Sequence, residues 1–285
     1  MARGPARGRR PERRERRERS DVVARVLAAI PAIAFAIFIV AQGGLVFALG
    51  LIALGVLAMT ELYTMMARVR PPSLAGFVTL TALALVAWKA SDPKGAIVLV
   101  LVLSVPFTFF LALLRPRREN VSWAMAVTFL GIVWIGLGVA HAVLLRGLDH
   151  GGGLVLDVLI GTFIGDTAAY FGGRAWGRRR LAPQISPNKT LEGLIAGVIG
   201  GTLAFWVFAV AYQHEWFRGP DALLIGFCVA VAGPVGDLFE SLIKRDLDVK
   251  DTGRFFGAHG GVLDRLDAVL FTVVAGYYVS RAVLG

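Results

Sequence analysis

Long apolar stretches dominate the chain, and its polar residues collect in short clusters between them. A helix that crosses a bilayer core needs about 20 mostly apolar residues. Nine stretches meet or approach that length, at about 22–41, 43–63, 74–91, 95–114, 122–145, 153–172, 191–213, 221–239 and 262–283. The pattern predicts an all-α fold, a polytopic transmembrane helical bundle of about nine membrane helices filling 22–285. No soluble domain of useful size fits between the spans, whose two longest internal connections are 173–190 and 240–261. Basic residues precede 22–41, as they would a cleaved signal, but the stretch is long for a signal h-region and reads as a first span.

Composition agrees with this pattern. Hydrophobic residues make up 56% of the 285, above the roughly 45–50% of soluble domains. The net charge of +10 does not point to nucleic acid. Nine arginines lie between Arg3 and Arg19, interleaved with Glu12, Glu15 and Glu18. Residues 1–21 therefore read as a disordered Arg-rich cytoplasmic tail that sets topology and touches anionic lipid. Alternating the spans from a cytoplasmic N-terminus puts 23 Lys and Arg on the cytoplasmic side. Four, Lys89, Lys94, Arg146 and Arg218, fall on the other side. This asymmetry places both long polar connections where cytosolic nucleotides are found. Cys228 is the only cysteine, which excludes an internal disulfide and a CxxC metal site.

The candidate chemistry lies in 153–285, above all in 233–267. Asp237 closes one apolar span, and Asp264 and Asp267 open the next. Carboxylates at membrane depth are costly and face a polar cavity or a partner. Asp264 and Asp267 share a helical face, as do Asp237, Glu240 and Lys244. Oxygen-only ligands suit Mg²⁺, which takes one or two carboxylates plus substrate phosphate oxygens. Lys244, Arg245, Lys250, Arg254 and Arg265 lie among the acids, where they either neutralise them or grip a polyphosphate. His259-Gly260-Gly261 precedes the last span, and a glycine-rich helix start favours phosphate. Metal ligands, phosphate clamps and a helix start together are the ingredients of phosphoryl or nucleotidyl transfer. An ordinary charged loop accounts equally well for Asp246, Asp248 and Arg254.

A second polar segment accompanies the first. Asp166-Thr167 sits inside the sixth span, and Ser186-Pro-Asn-Lys189-Thr190 forms a predicted turn before the seventh. That turn either binds phosphate or caps the helix with Thr190 as N-cap. Arg178 to Arg180 read as topology signals. Gly193, Gly197 and Gly201 form a small-residue face suited to close helix packing, with the neighbour's chain left open. Glu61, His141 and Asp157 are read as inter-helix hydrogen-bonding groups.

Two runs carry a resemblance. The first is Ser241-x-Ile243-Lys244-Arg245-x₄-Lys250-Asp251-x-Gly253-x₂-Phe256-Gly257-x-His259-Gly260-Gly261-Val262-x-Asp264-Arg265-Leu266-Asp267. The second runs from Asp166-Thr167 to Ser186-Pro-x-Lys189-Thr190-x-Glu192-Gly193. Both resemble the phosphatidate cytidylyltransferase (CDP-diacylglycerol synthase) family. Gly257 stands where proline is common there and Asn188 where glycine is common; both are turn positions without charge.

The resemblance implies transfer of CMP from CTP to phosphatidic acid, giving CDP-diacylglycerol and pyrophosphate. It also implies Mg²⁺, an assisting monovalent cation such as K⁺, a homodimer, and the inner (plasma) membrane as location. The site expected on these grounds has Asp237 and Asp264 holding Mg²⁺, with Asp267 as ligand or support. Lys244, Lys250 and Arg265 neutralise phosphates, and Asp251 joins the catalytic group. Asp166, Ser186, Lys189, Thr190, Ser241, Arg245, His259, Gly260 and Gly261 contact substrate. The rival is another CTP-dependent membrane enzyme, a polyprenol or phytol kinase or a CDP-archaeol synthase. An ion-coupled transporter would require inverted repeats, and none is visible. The motif of CDP-alcohol phosphatidyltransferases does not appear.

Overall fold

The computed structural model describes residues 30–116, 119–213, 215–253 and 260–284. The Arg-rich tail, Arg254 and His259 lie outside the described residues. Nine helices stand among them: α1 (Ile30–Gln42), α2 (Gly44–Met65), α3 (Ser73–Lys89), α4 (Pro93–Leu113), α5 (Val121–Arg146), α6 (Gly151–Trp176), α7 (Leu191–Gln213), α8 (Gly219–Asp246) and α9 (Leu263–Leu284). Seven are long and apolar enough to cross a membrane; α1 and α3 are shorter. The predicted all-α bundle is therefore present.

One local expectation fails. The segment expected as a turn before α7 is strand β2 (Ser186–Thr190), paired antiparallel with β1 (Arg180–Ala182). The pairs Arg180–Thr190 and Ala182–Ser186 are out of step by an irregularity between them. Pro187 lacks an N–H, so this strand tolerates only an edge position, and a two-stranded hairpin is all edge.

Helix α5 is the centre: 72% of its apolar window is buried, against 22% for peripheral α4. It packs on α2, α3, α6 and α9, and a π-helical turn at Ile132–Gly136 interrupts it. Trp134 in that turn meets the Phe239 ring of α8 edge-on at 4.9 Å. Tyr63 of α2 donates to the Thr128 carbonyl of α5. On the periphery Leu99, Val102, Leu103, Phe109 and Phe110 of α4 stay exposed, as lipid-facing residues must.

The second half of the chain forms a group of its own. The glycine face of α7 lies against α6 of the same chain, which settles which helix it meets. A Cβ on Gly193 would stand 2.8 Å from the Ala169 carbonyl oxygen, and one on Gly201 2.8 Å from that of Gly161. At Gly197 it would stand 2.8 Å from the Ala169 Cβ. Small residues thus face each other along both helices and let the backbones approach. Helices α8 and α9 complete the group, and the connection 177–190, the end of α8 and the start of α9 lie at one end.

Candidate active site at the hairpin end of the bundle

Helix α8 has 28 residues. At 1.5 Å per residue it is about 42 Å long, more than the roughly 30 Å hydrocarbon core. Its last turns, carrying Asp237, Glu240, Lys244 and Arg245, reach the edge of the apolar layer. Pro234 and Gly236 shape the approach. Gly236 lies so close to α9 that an added Cβ would overlap the Asp267 carbonyl oxygen and sit 3.1 Å from the Ala268 Cα. This contact delivers Asp267 to the face of α8.

An inner group follows along the two helices. Glu240 is 1% exposed. Its Oε2 accepts from Lys244 Nζ at 2.7 Å, and the same ammonium bonds Asp264 Oδ1 at 3.0 Å. Glu240 Oε1 is buried without a hydrogen-bond partner among the described residues, and the Asp267 carboxyl lies within electrostatic range of it. Two carboxyls facing each other require a proton or a cation between them.

An outer group stands beside it. Lys189 of β2 forms an ion pair with Asp237 Oδ2. Asp166, in the second half of α6, lies within electrostatic range of Asp237, Asp267 and Lys189. Asp237 is coupled in the same way to Asp267. Carboxyls from α6, α8 and α9 therefore converge around two lysines. Among the described residues no three acidic, histidine or cysteine groups form a ready metal cage.

The α9 N-terminus departs from expectation. Its amides were expected to face a phosphate, but they are already engaged. Gly261 N–H donates to Asp264 Oδ2 at 2.7 Å, and Thr252 N–H donates to both Asp264 oxygens at 3.3 and 3.1 Å. Val262 and Leu263 N–H each donate to Glu61 of α2 at 2.9 Å, and the Thr252 hydroxyl donates to it at 3.2 Å. The positive end of a helix attracts negative charge, and here two protein carboxylates take that place. Glycine is required around them. At Gly260 φ is +84°, and a Cβ would come 2.6 Å from Asp264 Oδ2. A Cβ on Gly261 would overlap the Glu61 carboxylate.

The hairpin is tied down from both sides. Glu192 accepts from the backbone of Arg178 and Arg179. Arg245 Nε donates to the Ile185 carbonyl at 3.1 Å. Thr190 is buried, and its hydroxyl accepts from Gly193 N–H at 3.1 Å, which is the capping role.

The structure thus brings together Asp166, Lys189, Asp237, Lys244, Asp264 and Asp267. Gly260 and Gly261 shape the loop before α9, Thr190 caps α7, and Arg245 braces the hairpin that carries Ser186. Ser241 is half-buried on α8, and Lys250, Asp251 and Arg265 are exposed close by in sequence. His259 falls outside the described residues. Two site residues were missed. Glu240 lay on the recognised face of α8 and could have been included, whereas Glu61 was read only as an inter-helix hydrogen-bonding group, a role it fills between α2 and the start of α9, with no local signal that tied it to the site. Of the remaining polar groups, Asp157 accepts from Gln213 Nε2 at 2.9 Å, and His141 lies 3.1 Å from the Tyr278 hydroxyl. Both are inter-helix bonds, as expected.

Comparison with known proteins places the chain in a family. The chain is 29% identical over 263 residues to the phosphatidate cytidylyltransferase of Bacillus subtilis (strain 168), covering 91% of this chain and 97% of that protein. It is 36% identical over 143 residues to the phosphatidate cytidylyltransferase of Thermotoga maritima, covering 48% and 52% respectively. It is 36% identical over 162 residues to the uncharacterized protein YnbB of Escherichia coli (strain K12), covering 55% and 54%. The chain therefore spans about half the length of the latter two relatives and nearly all of the first. A family model described as the cytidylyltransferase family matches residues 23–283, and with a match of that extent the chain belongs to this family.

Proposed function

We propose that this chain transfers CMP from CTP to phosphatidic acid, yielding CDP-diacylglycerol and pyrophosphate. The carrying observation is the convergence of Asp166, Asp237, Glu240 and Asp267 around Lys189 and Lys244 at one end of the bundle. In a cytidylyltransferase, acids and cations at the apolar edge suit a reaction between a water-borne nucleotide and a lipid phosphate. The positive-inside asymmetry supports a cytoplasmic N-terminus and a cytoplasmic site in the inner membrane. The homodimer and the assisting K⁺ belong to the same proposal through the family resemblance.

The donor set fits Mg²⁺. It is made of carboxylate oxygens, and it already stabilises positive charge: Lys189 is seated against Asp237, and Glu240 Oε1 lacks a donor beside Asp267. Asp237 and Asp267 would hold the ion, and Asp264 would join them on giving up its bond to Lys244. When bound it would neutralise triphosphate charge and polarise the reacting phosphoryl group.

The protein's own residues supply alignment and charge. An oxygen of the phosphatidic acid phosphate attacks the α-phosphorus of CTP, and a new P–O bond forms. The bond from that phosphorus to its bridging oxygen breaks, and pyrophosphate leaves with the electron pair. The attacking phosphate is already an anion, so no side chain has to remove a proton. Lys189, Lys250 and Arg265 face the phosphates, and Lys244 balances Glu240 and Asp264. Positioned charge of this kind is worth most in a site that excludes water.

Purified protein in detergent, given labelled CTP, phosphatidic acid and Mg²⁺, is expected to form a labelled liponucleotide. Parallel reactions with polyprenol or phytol should remain blank. Product from the alcohols alone would move the chain to the kinases and overturn the proposal.

A further inference from the structure

The turn between α2 and α3 and the turn between α4 and α5 lie at the same end of the bundle as the carboxylate cluster, since Glu61 near the end of α2 bonds the start of α9. Together they enclose a cavity of about 460 Å³, lined by Arg68, Arg70, Arg115, Pro116, Glu119 and Asn120. That volume falls within the range of small-ligand sites, on the order of 300–1,000 Å³. None of its lining residues belongs to the catalytic cluster.

Among the described residues the lining carries three guanidinium groups and one acid, Glu119. No ion pair joins these arginines to an acid among the described residues. Topology signals need only lie on the correct side; they need not converge on a cavity. Arg70 also holds a left-handed backbone, φ 52°, which is uncommon for a residue with a side chain. Burial, together with the adjacent Arg70 charge, holds the Arg115 guanidinium below its ordinary value. Three guanidinium groups gathered against a single acid, with no ion pair between them among the described residues, are what an anion site looks like when read from the protein alone.

The surroundings say which anion. Leu113 and Leu114, directly before Arg115, are 53% and 65% exposed, and Leu74 at the start of α3 is 56% exposed. Apolar surface abuts a basic cavity at the ends of membrane helices. We infer that this cavity is a second lipid site, which takes the phosphate of an anionic membrane lipid between Arg68, Arg70 and Arg115 with the acyl chains along Leu113 and Leu114. Arginine suits phosphate through its planar fork of donors. A lipid phosphate is also presented at high local concentration at this depth, which a free phosphate is not.

The full-length protein in phosphatidylcholine nanodiscs containing a minor fraction of phosphatidylglycerol tests the inference, with native mass spectrometry counting retained lipids. Wild-type protein should keep one phosphatidylglycerol per chain. The triple variant Arg68→Gln/Arg70→Gln/Arg115→Gln should bind it roughly a hundredfold more weakly, at about a fivefold loss per surface cation. The triple Arg→Lys variant preserves charge and topology signals and should stay within about tenfold of wild type. Lys89→Gln/Lys94→Gln, at the opposite end of the bundle, should retain the lipid. Retention by the Gln triple variant, or its absence from wild type, would overturn the inference. So would displacement of the lipid by inorganic phosphate as readily as by a short-chain phosphatidylglycerol, which would mark a soluble-anion site. These readouts do not depend on CTP turnover, so they stand apart from the proposed reaction.

Discussion

Glu61→Gln tests how the first half of the chain governs chemistry located in the second. The Glu61 carboxylate accepts from Val262 N–H on Oε1 and from Leu263 N–H and the Thr252 hydroxyl on Oε2. A glutamine of the same length offers one acceptor oxygen, and its NH₂ must then face a backbone N–H. One charged hydrogen bond is lost, worth roughly 1.5–3 kcal/mol. The negative charge at the α9 N-terminus is lost as well, worth about 0.3–1 kcal/mol. The loss falls on a segment that holds Asp264 through Thr252 N–H and Gly261 N–H. If about 2.7 kcal/mol of it appears in the transition state, kcat falls roughly a hundredfold. Glu61→Asp is one methylene too short for the same reach and should not restore the rate. Steady-state turnover with CTP and phosphatidic acid gives kcat and KM, and hydrogen exchange reads the amides of Thr252, Val262 and Leu263 directly. The expected outcome is a kcat loss together with faster exchange at those three amides, in protein that still inserts and purifies normally. Full activity in Glu61→Gln, or unchanged protection of Val262 and Leu263, would refute the reasoning.

Other expectations follow from the same geometry. Asp264→Asn should abolish turnover without preventing membrane insertion, and an active Asn variant, measured with labelled CTP, would remove Asp264 from the metal assignment. Chelation with EDTA should stop the reaction and added Mg²⁺ restore it, while Asp267→Asn should raise the Mg²⁺ concentration giving half-maximal rate. Gly236→Ala places a methyl group against the Asp267 carbonyl oxygen; overpacking of this kind costs about 1–3 kcal/mol, and a lowered melting temperature with reduced turnover should accompany it.

The spans were legible because hydrocarbon imposes a length that hydropathy records, and seven of the nine expected stretches match observed helix boundaries to within a few residues; the eighth, expected to close near Asp237, runs on to Asp246 because a helix that leaves the apolar layer continues with charged residues that hydropathy does not count. The first, expected from residue 22, is described only from Ile30. The acids were equally visible, since Asp237, which lies inside α8, and Asp264 and Asp267, at the start of α9, are expensive at that depth unless used. What sequence did not reveal has physical causes. The β1–β2 hairpin is short, carries no alternating pattern and contains a proline, so Ser186–Thr190 looked like a turn. Glu61 lies about two hundred positions from its partners, and no local pattern encodes such a contact. The amides before α9 looked free because a single segment cannot show a carboxylate arriving from elsewhere. Gly193, Gly197 and Gly201 announced a close neighbour but not its identity, because Gly161, Gly165 and Ala169 lie on a separate helix.

The glycine-lined seam between α6 and α7 has a mechanical consequence. Backbones pressed together without side chains between them slide and splay poorly, so the pair acts as a single stiff beam with the hairpin clamped across its tip. Lys189 rides on that tip, its main chain anchored through Glu192 and Arg245 before any nucleotide arrives. Seating a triphosphate against it would forfeit only the side chain's own rotational freedom, about 2 kcal/mol at most, and none of the loop's.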